Sequence, residues 1–214
     1  MTKYPLIMYI SLFSALVPLS VGISRLRILN RGMFILVGYL SFSIIADVSL
    51  TWFIRDYNIA LALVHTYYVV EFTFIILIIS VWQESNKIKL LSKILMFVYV
   101  LFWFIAKVTF EPLSGLYTVT ASVSQVILSL CSGYTLFFVL GNRTMPLLNQ
   151  SRFWVLLAFV IYYAGTLAFS TLRGVLLHYS LETFYSIATI DWGLKILFNV
   201  LFMIGFLNHR IQTD

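Results

Sequence analysis

Seven apolar stretches, each about 20 residues long, constrain this chain more than any other feature. They lie near residues 4–23, 33–54, 59–82, 90–110, 117–140, 153–172 and 186–207. At about 1.5 Å of rise per residue, each is long enough as a helix to cross a hydrocarbon core of ~30 Å. A helix also satisfies its own backbone polar groups, which lipid cannot do. The balance of 61% hydrophobic and 10% charged residues, with a mean hydropathy of +0.98, fits the same reading. The sequence therefore predicts an all-α polytopic membrane protein, a single seven-helix transmembrane domain over residues 1–214.

The breaks carry turn or charge signals: "SRLRILNRG", "RDYN", "QESNKIK", "EPLSG", "GNRTMPLLNQSR" and "RGVLLHYSLET". None is long enough for a soluble domain. The first stretch lacks a basic n-region and a small-residue cleavage site, so it is expected to be a retained helix. Transport by alternating access predicts a pair of Gly/Pro-broken helices in an inverted repeat, and no such repeat is evident.

Loop charge predicts orientation. One side collects Arg25, Arg27, Arg31, Lys87, Lys89, Lys93, Arg143, Arg152 and Arg210, the other only Lys3, Arg55, Lys107 and Arg173. By the positive-inside rule the N-terminus is outside and the C-terminus cytoplasmic. The net charge of +6 is then a basic rim near anionic lipid, and no motif or groove points to nucleic acid. Cys131 is the only cysteine and the three histidines are scattered, so no metal framework is expected.

Once the direction of each helix is set, its polar residues acquire a depth. Asp47 and His65 fall about 10 Å below the outer end of helices two and three, at a level where they could meet. Glu71, Gln125, Tyr162, Tyr163 and Lys195 fall nearer the midplane, with Asp191 one turn above Lys195 in "IDWGLKILFN". Ionisable groups in lipid are costly, so these residues predict a polar cavity facing the bundle interior, in its outer half. Asp191 and Lys195 could form an i, i+4 ion pair. Alternatively Lys195 could be a desolvated, reactive amine able to form an imine with an aldehyde.

Aromatics make up 17% of the chain. Tyr4, Trp52, Trp82, Phe110, Tyr117 and Phe153 lie near span ends and read as interfacial anchors. Tyr67, Tyr68, Trp103, Tyr134, Tyr162, Tyr163 and Trp192 lie deeper, where they could line a planar ligand or fill a core.

Three resemblances attach to these segments. "DWGLKILF" resembles the seventh-helix Asp-x-x-x-Lys of microbial rhodopsins, and "FVIYYAG" (159–165) is similar to their sixth-helix Trp-x-x-Tyr-Pro segment. That resemblance implies retinal bound through Lys195, with Asp191 as a counterion and Glu71 of "YYVVEF" as the third-helix carboxylate. Tyr68 and Tyr163 stand where the family has an arginine and a proline. "FSIIADVSL" (42–50) followed by "HTYY" (65–68) resembles the lysoplasmalogenase family, which implies Asp47 and His65 as an acid/base pair for lipid hydrolysis. "SRLRIL", "NIALALVHTYYVVEF" and "FWVLLAFVIYYAGTLAF" resemble an uncharacterised group of small seven-helix bacterial membrane proteins, which implies that Trp154, Tyr163 and Gly165 are fold markers.

The expected function is binding or sensing of a small amphipathic or apolar ligand in the bilayer, without a required cofactor. Asp47, His65, Tyr68, Glu71, Gln125, Tyr162, Tyr163, Asp191 and Lys195 are the candidate lining residues. Retinal photochemistry and lipid hydrolysis are the alternatives. A homo-oligomer or signalling partner leaves no mark in the sequence.

Overall fold

Backbone hydrogen bonding inside each apolar stretch yields eight α-helices in a computed structural model, which describes residues 5–53, 56–115, 118–141, 146–176 and 181–209. The helices are α1 (Leu6–Ser14), α2 (Leu16–Ser24), α3 (Arg31–Phe53), α4 (Tyr57–Trp82), α5 (Asn86–Thr109), α6 (Val119–Gly141), α7 (Ser151–Leu176) and α8 (Leu181–Leu207). Seven helical segments among the described residues are long and apolar enough to cross a membrane, with α1 and α2 together forming the first. Span boundaries fall within a few residues of the sequence expectation, except that α7 and α8 extend further into their connection. Expectations on Lys3, Tyr4, Arg55, Tyr117, Arg143, Arg210, the Arg173 side chain and the loops near 178 and 212 lie outside the described residues.

The first span differs from the single helix expected. Pro18 has no N–H to return to the Ser14 carbonyl four residues earlier, and the helix breaks there. The ladder resumes with Leu19 N–H donating to the Ala15 carbonyl at 3.2 Å. The break turns a side chain to use: Ser14 Oγ donates to the Ser11 carbonyl and accepts from Asn199 Nδ2 at 2.7 Å.

Caps fix the other ends. Asn30 Oδ1 accepts from Met33 N–H at the start of α3, and Asp56 Oδ1 accepts from Ile59 N–H at the start of α4. Arg25 Nη1 donates to the Phe206 and Leu207 carbonyls, at 3.0 and 2.9 Å, closing the end of α8.

Among the described residues α8 packs on α1, α2 and α7, α2 also on α3, α3 on α4, α4 on α5 and α6, and α6 on α7. Six helices thus close a ring, and α5 leans on it from outside. The face on which α8 ends holds the dense core, where Met33, Leu36, Phe72, Ile75, Phe159, Phe202 and Phe206 are all buried. Glycine permits the closest approach there: a Cβ on Gly22 would lie 2.8 Å from Val37 Cγ2 and 3.0 Å from Phe206 Cζ. Trp82, expected as an interfacial anchor, is drawn into this core against Gly32, whose missing side chain makes the room. Trp52 is exposed as expected. Tyr134, expected deep, is exposed and packs beside Phe138, because its face of α6 turns away from the ring.

Candidate functional site

Toward the opposite end, where α1 begins, α4 to α7 stay well packed, but the edge between α3 and α8 is looser. Every buried residue of α3 lies between Gly32 and Ser43, and residues 191–196 of α8 are all half-exposed. Beyond Leu197, α8 recovers the alternation of buried and exposed positions expected of a packed helix. Two of the candidate residues face each other across this looser region. Lys195 Nζ of α8 donates to Asp47 Oδ2 of α3 at 2.9 Å, with side-chain exposures of 23% and 16%. The long lysine side chain bridges two helices whose main packing is with other neighbours. The i, i+4 acceptor expected for Lys195 was Asp191; the ion pair instead crosses to α3. Helical spacing sets Asp191 and Lys195 on one face, but the reach of a lysine lets its ammonium leave that face for a carboxylate opposite.

One level deeper is Glu71, 3% exposed. Its Oε1 accepts from Tyr39 Oη at 2.8 Å and from Tyr67 Oη at 3.2 Å. Tyr67 Oη also lies 3.4 Å from Ser43 Oγ, and the Phe42 ring stacks on the Tyr67 ring. Tyr163 presents a buried hydroxyl toward the same carboxyl without completing a hydrogen bond among the described residues. Lys195 is within electrostatic range of Glu71, Asp47 of Tyr67, and both Asp191 and Glu71 of Tyr162. Tyr68 packs edge-on to Tyr67. Seven of the nine candidates, Asp47, Tyr68, Glu71, Tyr162, Tyr163, Asp191 and Lys195, thus belong to one cluster. Tyr39, Ser43 and Tyr67 belong to it as well.

The cluster has a floor. Tyr162 stacks on Phe198 at 4.4 Å between ring centres, Phe198 meets Phe202 at 4.2 Å, and Phe159 and Phe202 close the layer edge to face. The Glu71 cluster does not extend past this layer; buried Asn199, next to Phe198 in α8, bonds Ser14 of the first span instead.

Two candidates lie elsewhere. Gln125 Nε2 donates to Ser170 Oγ at 2.8 Å, joining α6 to α7, while its Oε1 has no partner among the described residues. His65 was expected to meet Asp47, but both its ring nitrogens are engaged elsewhere: Lys107 Nζ donates to Nδ1 at 2.7 Å, and Nε2–H donates to the Gly115 carbonyl at 3.0 Å. Similar depth brought the pair to one level, and the rotation of α4 about its axis aimed the histidine at α5 instead.

Lys107, taken from the sequence as a loop charge, is the centre of this second cluster. Its ammonium also donates to Glu111 Oε2 at 3.1 Å and to Thr120 Oγ1 at 3.3 Å, and it lies 5.6 Å from the Trp103 ring centre. Glu111 in turn accepts from the backbone N–H of Val119 and Thr120, capping α6 from eight and nine residues upstream. Burial acts to raise the Glu111 carboxyl, but Thr120 and Lys107 outweigh it and hold the group below its usual range. The i, i+4 spacing of Lys107 and Glu111 in "KVTFE" was the available signal.

On the opposite face, buried His209 ties the chain end to two connections. Its Nδ1 is 3.2 Å from Ser151 Oγ, and its Nε2 is 3.0 Å from the Ile28 carbonyl and 3.2 Å from Asn30 N–H. Burial lowers the imidazole pKa; the Ile28 carbonyl acts to raise it, and the nearby Arg25 and Arg152 lower it further.

No protein-family model, curated protein or solved structure matches the chain. The three resemblances rest on the quoted segments alone. Function has to be argued from the cluster itself, and the described residues contain no group of three or more His, Cys, Asp or Glu side chains able to hold a metal.

Proposed function

We propose that this is a multi-pass membrane protein that binds or senses a small amphipathic molecule in the cluster around Glu71, entering from the face where α1 begins. The observation that carries the reading is the half-exposed Asp47–Lys195 bridge between α3 and α8. An ion pair spanning two helices in the loose half of a bundle can be opened by a ligand at less cost than one sealed in a core. Tyrosine rings beneath it offer apolar area with polar edges, the combination that suits an amphipath. The aromatic floor supports a blind pocket, and hence reception, over a continuous path for permeation.

In this reading the protein sits in a bacterial inner membrane with the N-terminus outside and the C-terminus in the cytoplasm, the orientation that the loop charges favour. The site then samples the outer side. A thiol reacts with methanethiosulfonates as its thiolate, which requires water. In a Cys131→Ser background, Tyr68→Cys should react with methyl methanethiosulfonate far faster than Ser132→Cys, which sits fully buried in α6. Added 2-phenylethanol should slow the first reaction only. Equal, slow rates at both positions would remove the pocket.

Retinal is a second reading, favoured by one observation: the Lys195 amine is partly accessible and has a carboxylate 2.9 Å away that could serve as counterion to an imine. An absorption band formed with all-trans retinal and lost in Lys195→Ala would establish it. The hydrolase alternative loses its support in geometry, since Asp47 and His65 serve different clusters.

A further inference from the structure

The first span and α8 frame an open groove of about 580 Å³. Ile10 and Phe13 line one side and Val200 and Met203 the other, with Ser14 and Asn199 also in its wall. The volume is in the range of small-molecule sites, and the polar pair decides what it takes. Asn199 is 3% exposed. Ser14 Oγ gives its proton to the Ser11 carbonyl at 2.6 Å, so toward Asn199 it can only accept, and the amide turns Nδ2 to it at 2.7 Å. That leaves Oδ1 with no hydrogen bond among the described residues, beside the second N–H of the same amide. Ser14 lies eight residues into the Leu6–Ser24 span and Asn199 eight residues before the end of the Ser186–Leu207 span, each about 12 Å deep. Hydrocarbon chains bring no donor to that depth, and an unmet acceptor there is costly.

We infer that the groove binds a neutral, membrane-soluble alcohol, with its hydroxyl on the Asn199 amide and its apolar body between α1 and α8. A hydroxyl donates to Oδ1 and accepts from Nδ2 at once, which matches both remaining positions of the amide. An ammonium or carboxylate would carry an unpaired charge into hydrocarbon. A hydrocarbon or an ether fills the volume and leaves Oδ1 unmet. The groove shares no lining residue with the Glu71 cluster, so it is a second site, and neither reading depends on the other.

The test uses the full chain in nanodiscs and an octanol that carries a diazirine, photolysed in place and located by peptide mass mapping. Adducts should fall on α1 and on the Asn199–Met203 turn of α8. Excess 1-octanol should lower them about fivefold or more, while octyl methyl ether at equal membrane concentration should leave them within about twofold. Asn199→Leu keeps the volume but removes the amide, so the adducts should fall by about fivefold and the two competitors should become equal. Ile10→Trp, at a half-exposed position on the opposite wall, fills the groove without touching the amide and should also lose the adducts. It keeps the test decisive should Asn199→Leu fail to fold. An ether that competes as well as the alcohol means that any apolar chain, bilayer lipid included, fills the groove, and overturns the inference. So do adducts absent from α1 and α8, an alcohol preference unchanged in Asn199→Leu, or labelling of Ile10→Trp at the level of the unaltered protein.

Discussion

The two halves of this bundle solve the membrane problem in opposite ways. Where α8 ends, the ring helices meet through phenylalanine, isoleucine and small residues, and the polar groups present hold connections and helix ends, as Arg25 and His209 do. Where α1 begins, burial thins out along α3 and α8, and charged groups reach across from one helix to the other. Packing in lipid has no hydrophobic drive between helices, so close contact and hydrogen bonds must do the joining. One half relies on the first and the other on the second. The difference teaches that the edge between α3 and α8 is held by polar bonds that another polar group could replace, and the tighter half by close packing that none could.

The largest effect should come from the tight half. Phe202→Ala opens a cavity in the aromatic floor and should cost about 3 kcal/mol in a denaturant titration of the folded protein. A cost near zero would mean that the floor is not close-packed. In the loose half, Lys195→Met strands the Asp47 carboxylate. After discounting for its partial exposure, the expected cost is about 2 kcal/mol. Adding Asp47→Asn should recover most of that, and adding Asp191→Asn should not. Equal rescue by the two would return the ion pair to α8 alone. Gly22→Val should cost about 1–2 kcal/mol, because the β-branched Val37 opposite has few rotamers with which to yield.

The smallest expected effect is a pH dependence at His209. Its folded-state pKa is depressed below 6.5, so stability is full above that value and falls as acid protonates the unfolded chain first. His209→Gln should flatten stability between pH 7.5 and about pH 5, read as the midpoint of thermal unfolding.

Much of this was legible in the chain, for reasons particular to membranes. Span number follows from apolar length, and depth follows from counting residues, so Glu71, Tyr162, Tyr163 and Lys195 could be placed on one level. Counting says nothing of how each helix is turned about its axis. That is why Lys195 found Asp47 rather than Asp191, and why His65 found Lys107. Spacing alone could have exposed the Lys107–Glu111 pair, and Pro18 could have exposed the break in the first span. Gln125 was read correctly as buried, but its seam with Ser170 depends on which face of α7 turns toward α6.

The broken first span has a consequence for the order in which the protein is made. At nine residues each, α1 and α2 reach only about 13 Å apiece, so neither can cross a bilayer by itself. They enter lipid as one unit, with the Ser14 carbonyl lacking its helical donor and the Ser14 hydroxyl lacking its side-chain partner. That partner, Asn199, is synthesised 185 residues later, on the helix that packs against both halves. The earliest span is therefore the one that waits longest for completion, and α8, last of the eight helices to be translated, is the piece that closes the circle.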